Sequence, residues 1–281
     1  MKTILFTGST DGIGLEAVRM LVGKGHRVLM HGRNANKLEA AAQELGVTDT
    51  YTADLSDLSQ VYRMASDVKA KHDRLDVLVN NAGVFKAPNA DRRTVNGLDT
   101  RVAVNAIAPY ILTKELLPII PKHGRIINVS SAAQSPVDLN KALPSTGLKA
   151  GSPSPYGQDF DAYGQSKLAI MMWNNVMTAD HPNHILASLN PASMIGTKMV
   201  KEGFGVAGKS LDIGRDILVE AAVGKKFERA SGKYFDNDRG NFGNPHPDAN
   251  NMRKCRNFVQ AMDEWLATHL SETCQAGDSL N

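Results

Sequence analysis

A glycine-rich segment between a strand pattern and a helix pattern constrains this chain more than any other feature. Residues 2–7 form a short β-branched and aromatic run, and residues 13–21 show apolar side chains at helical spacing. Glycines at such a turn let the backbone approach a pyrophosphate, which the N-terminus of the helix then binds. The alternative is a glycine-rich turn without a ligand. The segment predicts a dinucleotide site that includes Gly8, Thr10, Asp11, Gly12, Ile13 and Gly14.

Strand and helix patterns then alternate. Strands are predicted at 27–32, 48–53 and 75–79, with helices at 34–45 and 58–71, and Ser56 is a candidate N-cap of the latter helix. The run at 75–79 is apolar throughout, as in a parallel strand buried on both faces. We therefore predict an α/β fold, a doubly wound parallel sheet of the Rossmann type in a single domain of residues 1–281, with its ligand at the carboxyl ends of the strands.

Composition excludes several other classes of protein. An apolar content of 42% is enough for a normal core, and the small net charge of +3 gives no support for nucleic-acid binding. Cys255 and Cys274 lack metal or redox spacing and the histidines are scattered, so we expect a reducing compartment and no metal site. We find no signal peptide and no stretch that approaches eighteen apolar residues, which predicts a cytoplasmic protein without a membrane segment.

Arg33 follows the second predicted strand, where the residue at the strand end meets the adenosine ribose of a bound dinucleotide. A carboxylate there favours NAD, whereas a guanidinium can pair with the 2′-phosphate of NADP. Asp11 argues weakly for NAD, and Arg33 could instead be a solvated charge. The sequence favours NADP(H), with NAD as the weaker alternative.

Two tyrosines are each followed by a lysine four residues later. These pairs are Tyr110 with Lys114 and Tyr163 with Lys167. On a helix this spacing places the side chains on one face, about 5–6 Å apart. A lysine charge at about 4 Å could lower the pKa of a tyrosine by the roughly three units that proton transfer near neutral pH needs. Spacing alone does not choose between the pairs.

The order of several motifs makes the choice. Asn80-Asn81-Ala82-Gly83 follows the fourth strand, Val104-Asn105 lies in the next helix, and Ser130-Ser131 ends the fifth strand before Tyr163. With the glycine segment, this order resembles the short-chain dehydrogenase/reductase family over roughly residues 3–200. The resemblance favours Tyr163 over Tyr110, which precedes the serines and is assigned to packing or an interface.

The resemblance implies a catalytic tetrad of Asn105, Ser131, Tyr163 and Lys167. Tyr163 would exchange the proton with the substrate oxygen, and Lys167 would lower the Tyr163 pKa and bind the nicotinamide ribose. Ser131 would bind the substrate oxygen, with Ser130 as the alternative. Asn105 would hold a water that links Lys167 to solvent, unless it only bonds the backbone.

The resemblance also implies further cofactor contacts. Thr197 lies one residue later than the commonest spacing for the family's threonine near the nicotinamide, so its role is open. The implied residues are Asp54, Leu55, Asn81, Ala82, Gly83, Tyr163, Lys167, Pro191 and Thr197.

The regions that would bind the substrate depart from the shortest family members. The loop at 132–162 is long, as in retinol-dehydrogenase-like and protochlorophyllide-reductase-like members, which suggests a larger or apolar substrate. A substrate lid is expected at about 191–231, centred on 198–209, and a C-terminal helix at about 251–270, with fraying from 269. The stretch 236–240 receives no assigned chemistry.

The sequence thus predicts an NADP(H)-dependent oxidoreductase that interconverts a small-molecule carbonyl and an alcohol. The alternatives are an NAD-dependent alcohol dehydrogenase of the same fold and a non-catalytic nucleotide-sensing protein. Apolar side chains on more than one face of the predicted helices 98–118 and 162–177, including Met171, Met172 and Trp173, also suggest a homodimer.

Overall fold

One eight-stranded sheet runs through the computed structural model, which describes residues 1–86, 93–143 and 159–277. The strand order is β3-β2-β1-β4-β5-β6-β7-β8, and neighbouring strands are parallel except for the antiparallel pair β7 and β8. The predicted doubly wound parallel sheet is confirmed. The strands are β1 (Thr3–Phe6), β2 (Arg27–Gly32), β3 (Thr50–Thr52), β4 (Val77–Asn80), β5 (Arg125–Val129), β6 (Ile185–Asn190), β7 (Tyr234–Asp236) and β8 (Asn241–Gly243).

Helices cover both faces of the sheet. Helices α1, α2 and α9 pack on one face, and α3, α5, α7 and α11 pack on the other, so each face has its own apolar core. The helices are α1 (Gly12–Gly23), α2 (Ala35–Leu45), α3 (Leu58–Lys71), α4 (Thr100–Val102), α5 (Ala108–Leu116), α6 (Leu139–Ala142), α7 (Asp159–Asp180), α8 (Lys198–Phe204), α9 (Leu211–Val223), α10 (Pro247–Asn250) and α11 (Met252–Gly277).

The sheet register brings the predicted motifs to one edge. Phe6 of β1 lies beside Val79 of β4, and Asn80 lies beside Asn128 of β5. Because these strands are parallel, the segments that follow them leave the sheet together at its carboxyl edge. The glycine segment, the Asn-Asn-Ala-Gly segment and the paired serines therefore lie close together.

Several predicted boundaries were wrong at the level of single residues. Strand β3 is shorter than 48–53, and α3 is capped by Asp57, whose carboxylate accepts from the Ser59 N–H, whereas Ser56 bonds Asp54. Strand β8 was not predicted. Helix α11 continues to Gly277, beyond the predicted end at residue 270, and fraying from residue 269 stays a prediction.

The predicted helix 98–118 is a composite element. It consists of α4, a π-helical turn (Ala103–Ile107), α5 and a 3₁₀ turn (Leu117–Ile119). Contrary to expectation, the stretch Thr100–Ile119 is long and apolar enough to cross a membrane, but most of it is buried in the fold. It packs against α3 and α7 as a core element.

The C-terminal helix covers the surface that suggested a homodimer. Helix α11 lies along α7, and Met171, Met172 and Trp173 are buried within the chain itself. Their apolar side chains are thus accounted for by internal packing, and the homodimer stays a prediction without this support.

The expected lid range of 191–231 includes a framework helix. Helix α9 packs along α1, and its residues Ile217 and Leu218 are buried in the core. A lid is therefore confined to the part of the range before α9 begins at Leu211.

Candidate active site

The glycine segment forms a tight turn that other residues would disrupt. Gly8 and Gly12 have positive φ angles of 67° and 55°, which favour glycine. A Cβ at Gly14 would lie 2.1 Å from the carbonyl oxygen of Gly8. Asp11 caps α1, since its carboxylate accepts from the Gly12 N–H at 2.7 Å. The turn presents the N-terminus of α1 closely and without side-chain obstruction, as a pyrophosphate requires.

Asn81 and Ala82 hold this turn in place. The Asn81 side-chain amide donates to the carbonyl oxygens of Thr7 and Gly8 at 2.9 and 3.0 Å, and the Thr7 hydroxyl accepts from the N–H groups of Asn81 and Ala82. A Cβ at Gly8 would lie only 2.8 Å from the Ala82 Cα. Two predicted cofactor residues thus form the support of the glycine segment.

His31 on β2 is a second support, which the sequence did not reveal. Its Nδ1 accepts from the Gly8 N–H at 3.1 Å, and its Nε2 lies 3.1 Å from the carbonyl oxygen of Ala53. Burial lowers the His31 pKa to about 4, so the ring is neutral near pH 7 and can make both bonds. His31 therefore links the glycine segment to the end of β3.

Three of the predicted cofactor residues line the ends of β2 and β3. Thr10 lies against Gly32, where a Cβ would approach the Thr10 methyl to 2.4 Å. Arg33 is exposed directly after β2. Asp54 accepts from the N–H and hydroxyl of Ser56, which fixes its carboxylate in a turn.

Two other predicted residues pack against the protein to different degrees. Leu55 is buried in the core beneath α3, so only its backbone is available to a dinucleotide. Ile13 packs next to Gly214 of α9 and is partly buried.

Thr197 lies beside the glycine segment despite its unusual spacing. Its hydroxyl caps α8 by accepting from the Val200 N–H, and its methyl carbon is 3.4 Å from the position of a Cβ on Gly12. The nearby Pro191 carbonyl accepts from the Asn237 side chain at 2.9 Å. Thr197 therefore lies next to the glycine segment, and its contact with a dinucleotide stays a prediction.

The paired serines after β5 have different surroundings. The Ser130 hydroxyl is buried and donates to the Lys167 carbonyl oxygen at 2.7 Å, so it joins the strand to α7. The Ser131 side chain lies near enough to Tyr163 to lower its pKa, and its hydroxyl accepts from the Ala133 N–H. This geometry favours Ser131 over Ser130 as the group next to a substrate oxygen.

Tyr163 and Lys167 lie together on α7, as their spacing predicts. The Lys167 Nζ is 5.6 Å from the centre of the Tyr163 ring and donates to the Val129 carbonyl oxygen at 2.8 Å. Burial raises the Tyr163 pKa, while the bond with Ser131 lowers it, and burial lowers the Lys167 pKa to about 7. The sequence argument considered only the lysine charge, which would lower the Tyr163 pKa. Burial of the tyrosine acts in the opposite direction and was not considered.

Asn105 sits in the π-helical turn, an irregularity that often occurs at functional sites. Its side-chain oxygen accepts from the Val84 N–H, and its amide donates to the Val84 carbonyl and the Ser166 hydroxyl. A Cβ on Gly83 would lie 3.3 Å from the Asn105 side-chain oxygen and 3.4 Å from the Lys167 Nζ. The side chain thus anchors the backbone after Gly83, and a water-binding role stays a prediction.

Asp238, in the unassigned stretch 236–240, joins three segments beside the site. Its carboxylate accepts from Ser193, from the Asn190 side chain and from the Lys209 ammonium group. Burial alone would raise its pKa, but these hydrogen bonds lower the Asp238 pKa to about 2. Asp238 therefore remains ionised and fixes both ends of the segment that contains α8.

Comparisons with known proteins agree with this geometry. A family profile described as short chain dehydrogenase matches residues 2–141. The chain is 31% identical to the short-chain dehydrogenase chyC of Penicillium rubens, covering 84% of this chain and 86% of that protein. It is 30% identical to human retinol dehydrogenase 12, covering 83% and 77% of the two chains. Its structure resembles a metagenomic short-chain oxidoreductase in complex with NADP, with a TM-score of 0.58, 27% identity and 79% and 90% coverage.

Proposed function

The chain belongs to the short-chain dehydrogenase/reductase family of oxidoreductases, and from that premise we propose that it reduces a carbonyl compound to an alcohol with NADPH. The observation that supports this most is the meeting of Ser131, Tyr163 and Lys167 at the carboxyl end of β5, next to the glycine turn. Fold alone would not support an activity, but an intact set of proton-transfer residues does.

A nicotinamide dinucleotide fits the residues that are present. Gly8, Gly12 and Gly14 permit a tightly packed turn, which leads into the N-terminus of α1, where a pyrophosphate would bind. Arg33 and Asp54 would bind the adenosine end, and Thr197 with Lys167 would bind toward the nicotinamide end. The cofactor would supply the hydride. The protein would position the substrate, donate the proton and provide the electrostatic environment.

The chain's own residues support proton donation. Because burial raises the Tyr163 pKa, its hydroxyl is protonated near pH 7 and can donate to a developing alkoxide. Ser131 would hold the substrate oxygen beside that hydroxyl. Lys167, with a pKa lowered to about 7, can return a proton to the pair from solvent. A protonated Tyr163 is the form that the proposed reduction requires.

The preference for NADPH follows from Arg33 after β2, and the NADP bound to the related metagenomic oxidoreductase supports it. A charge-assisted hydrogen bond is worth about 1.5–3 kcal/mol. We expect Arg33→Ala to raise the dissociation constant for NADPH about tenfold or more and to leave that for NADH nearly unchanged. Titrating both nucleotides by protein fluorescence checks this, and equal losses for both would contradict the assignment.

The alternative of an NAD-dependent alcohol dehydrogenase has the same residues and differs in cofactor and direction. A panel of carbonyl compounds and alcohols, assayed with both nucleotides by nicotinamide absorbance, separates the two. Ketone reduction by NADPH with little NADH activity would support the proposal, whereas alcohol oxidation with NAD would favour the alternative. Binding of NADPH without turnover of any compound would favour a nucleotide-sensing protein.

A further inference from the structure

Two phenylalanine rings extend outward from Tyr163. Phe85 lies two residues after Gly83, and its ring meets Tyr163 edge-on, with centroids 5.2 Å apart and an interplanar angle of 72°. Phe204 of α8 stacks on Phe85, with centroids 5.1 Å apart and an angle of 29°. Phe85 is buried, and Phe204 is 46% exposed. The proton-donating tyrosine is thus bordered by an aromatic wall that reaches the protein surface.

The segment with Phe204 is fixed at its base and lightly held at its tip. Ile195 pairs with Lys209 as a β-bridge, and the Asp238 carboxylate holds Lys209 and Ser193. Helix α8 itself has no buried residue. Its end is held by the Phe204–Phe85 stack and by the Lys86 ammonium group, which donates to the Glu202 carbonyl oxygen at 2.9 Å.

The backbone is shaped to permit this stack. A Cβ at Gly203 would lie 3.0 Å from the Phe85 ring, so the glycine lets the helix approach the ring closely. Gly205 follows with a φ of 69° and ends the helix directly after Phe204. The ring of Phe204 is therefore placed over Phe85 by the helix end and does not depend on contacts of its own helix with the core.

We propose that Phe85 and Phe204 make this site selective for carbonyl compounds with a flat, apolar group a short distance from the carbonyl. The inference rests on the proposed function, since the carbonyl oxygen has to reach Tyr163 and Ser131. The remainder of the substrate then lies against the two phenyl rings. Aromatic rings in edge-to-face or offset contact gain free energy beyond their buried area, which a saturated ring of similar size does not.

The test compares benzylacetone with its ring-saturated analogue, in which a cyclohexyl group replaces the phenyl group. Two methylene groups insulate the carbonyl in both, so the intrinsic reactivity of the ketones matches. We expect kcat/KM with NADPH to favour benzylacetone by about threefold to tenfold, the range of one aromatic pair. Butanone lacks a ring, so its kcat/KM gives the reference for a ketone that makes no ring contact with Phe85 or Phe204.

The preference for benzylacetone should be lost when Phe85 or Phe204 is substituted and kept when a phenylalanine elsewhere is substituted. Phe85→Leu and Phe204→Leu keep an apolar side chain of similar volume, and each should bring the benzylacetone ratio close to one. Phe242→Leu is the matched control, because Phe242 belongs to an aromatic cluster with Phe227 and Phe235 on the opposite face of the sheet. It should keep the parent ratio. Melting temperatures of the variants show that each remains folded.

The outcomes separate this inference from the proposed function. Equal kcat/KM for the two ketones, or a preference that survives both Leu substitutions, overturns the aromatic selectivity and leaves NADPH-dependent reduction standing. Reduction of none of the ketones by protein that binds NADPH overturns both. A preference lost in Phe85→Leu and Phe204→Leu but kept in Phe242→Leu supports the inference.

Discussion

Two tyrosine–lysine pairs with the same spacing lie in contrasting surroundings. On α5, the Tyr110 hydroxyl and the Lys114 ammonium group both donate to one Asp263 carboxylate oxygen, each at 2.8 Å. Tyr110 also packs against Trp173, with ring centres 5.7 Å apart. Burial and the Asp263 bond both raise the Tyr110 pKa. This pair attaches the C-terminal helix to the core.

The pair on α7 faces the cofactor edge of the sheet. Lys167 is buried and bonds the backbone at Val129, and the bond from Ser131 lowers the Tyr163 pKa against the effect of burial. A carboxylate stabilises the protonated tyrosine of the first pair, whereas a hydroxyl assists ionisation in the second. The difference teaches that the group opposite the tyrosine, and not the spacing of the pair, sets the surroundings of its hydroxyl.

The largest expected difference in stability concerns Lys167. In the folded state the Lys167 pKa is about 7, below its ordinary value of 10.5. The folded protein therefore binds a proton at Lys167 more weakly than the unfolded chain does, which lowers the free energy of unfolding wherever the unfolded lysine is protonated. The resulting penalty is complete below pH 7 and disappears as pH rises through 10.5, and it amounts to about 5 kcal/mol. Lys167→Met removes it and leaves the Val129 carbonyl without its donor, which costs about 1–3 kcal/mol.

We therefore expect Lys167→Met to be inactive yet more stable than the parent near pH 6, by about 3 kcal/mol. Between about pH 7 and 9 the parent should regain stability relative to the variant by up to about 1.4 kcal/mol per pH unit. Urea unfolding of both proteins across this range measures the difference. A pH-independent difference would contradict a depressed Lys167 pKa.

A smaller effect is expected at Tyr110. Tyr110→Phe removes one hydroxyl and its bond to Asp263, and should lower the free energy of unfolding by about 1 kcal/mol. Because Lys114 still pairs with Asp263, the carboxylate keeps a partner. Urea unfolding at neutral pH gives this value. A loss of several kcal/mol, or none, would contradict the packing role.

The smallest effect is expected at Lys114. Its side chain is 48% exposed and that of Asp263 is 42% exposed, so solvent screens the ion pair. Lys114→Met should change the free energy of unfolding by no more than about 0.5 kcal/mol, without a change in kcat. Compared with Lys167→Met in the same titration, it should also show no comparable dependence on pH.

The sequence predicted the arrangement of the candidate site residues best where neighbours in the chain determine the geometry. The glycine turn, the Asn81 segment and the Tyr163 pair depend on local spacing and on strand order, which the alternation of patterns supplied. His31 and Asp238 were missed because their bonds join residues far apart in the chain, such as His31 to Gly8 and Asp238 to Ser193. Such pairings follow from the folded register and leave no local signal.

Other differences have a similar physical origin. The π-helical turn contains Asn105, whose side chain bonds Val84 far away in the chain, and helical spacing alone does not predict either feature. The apolar faces of α7 suggested a second protein molecule as their partner. In the fold, α11 of the same chain packs along α7, and the sequence pattern does not show this position. The expected loop contribution of residues 144–158 lies outside the described part of the chain.

The measurement that tests this account most directly is the kcat of Tyr163→Phe beside that of Tyr110→Phe, with NADPH affinity determined on the same samples. The account predicts that Tyr163→Phe loses about 10²–10⁴ in kcat, the usual contribution of general acid catalysis, and binds NADPH as the parent does. Tyr110→Phe should stay within a few-fold of the parent. An inactive Tyr110→Phe beside an active Tyr163→Phe would contradict the assignment of the catalytic pair.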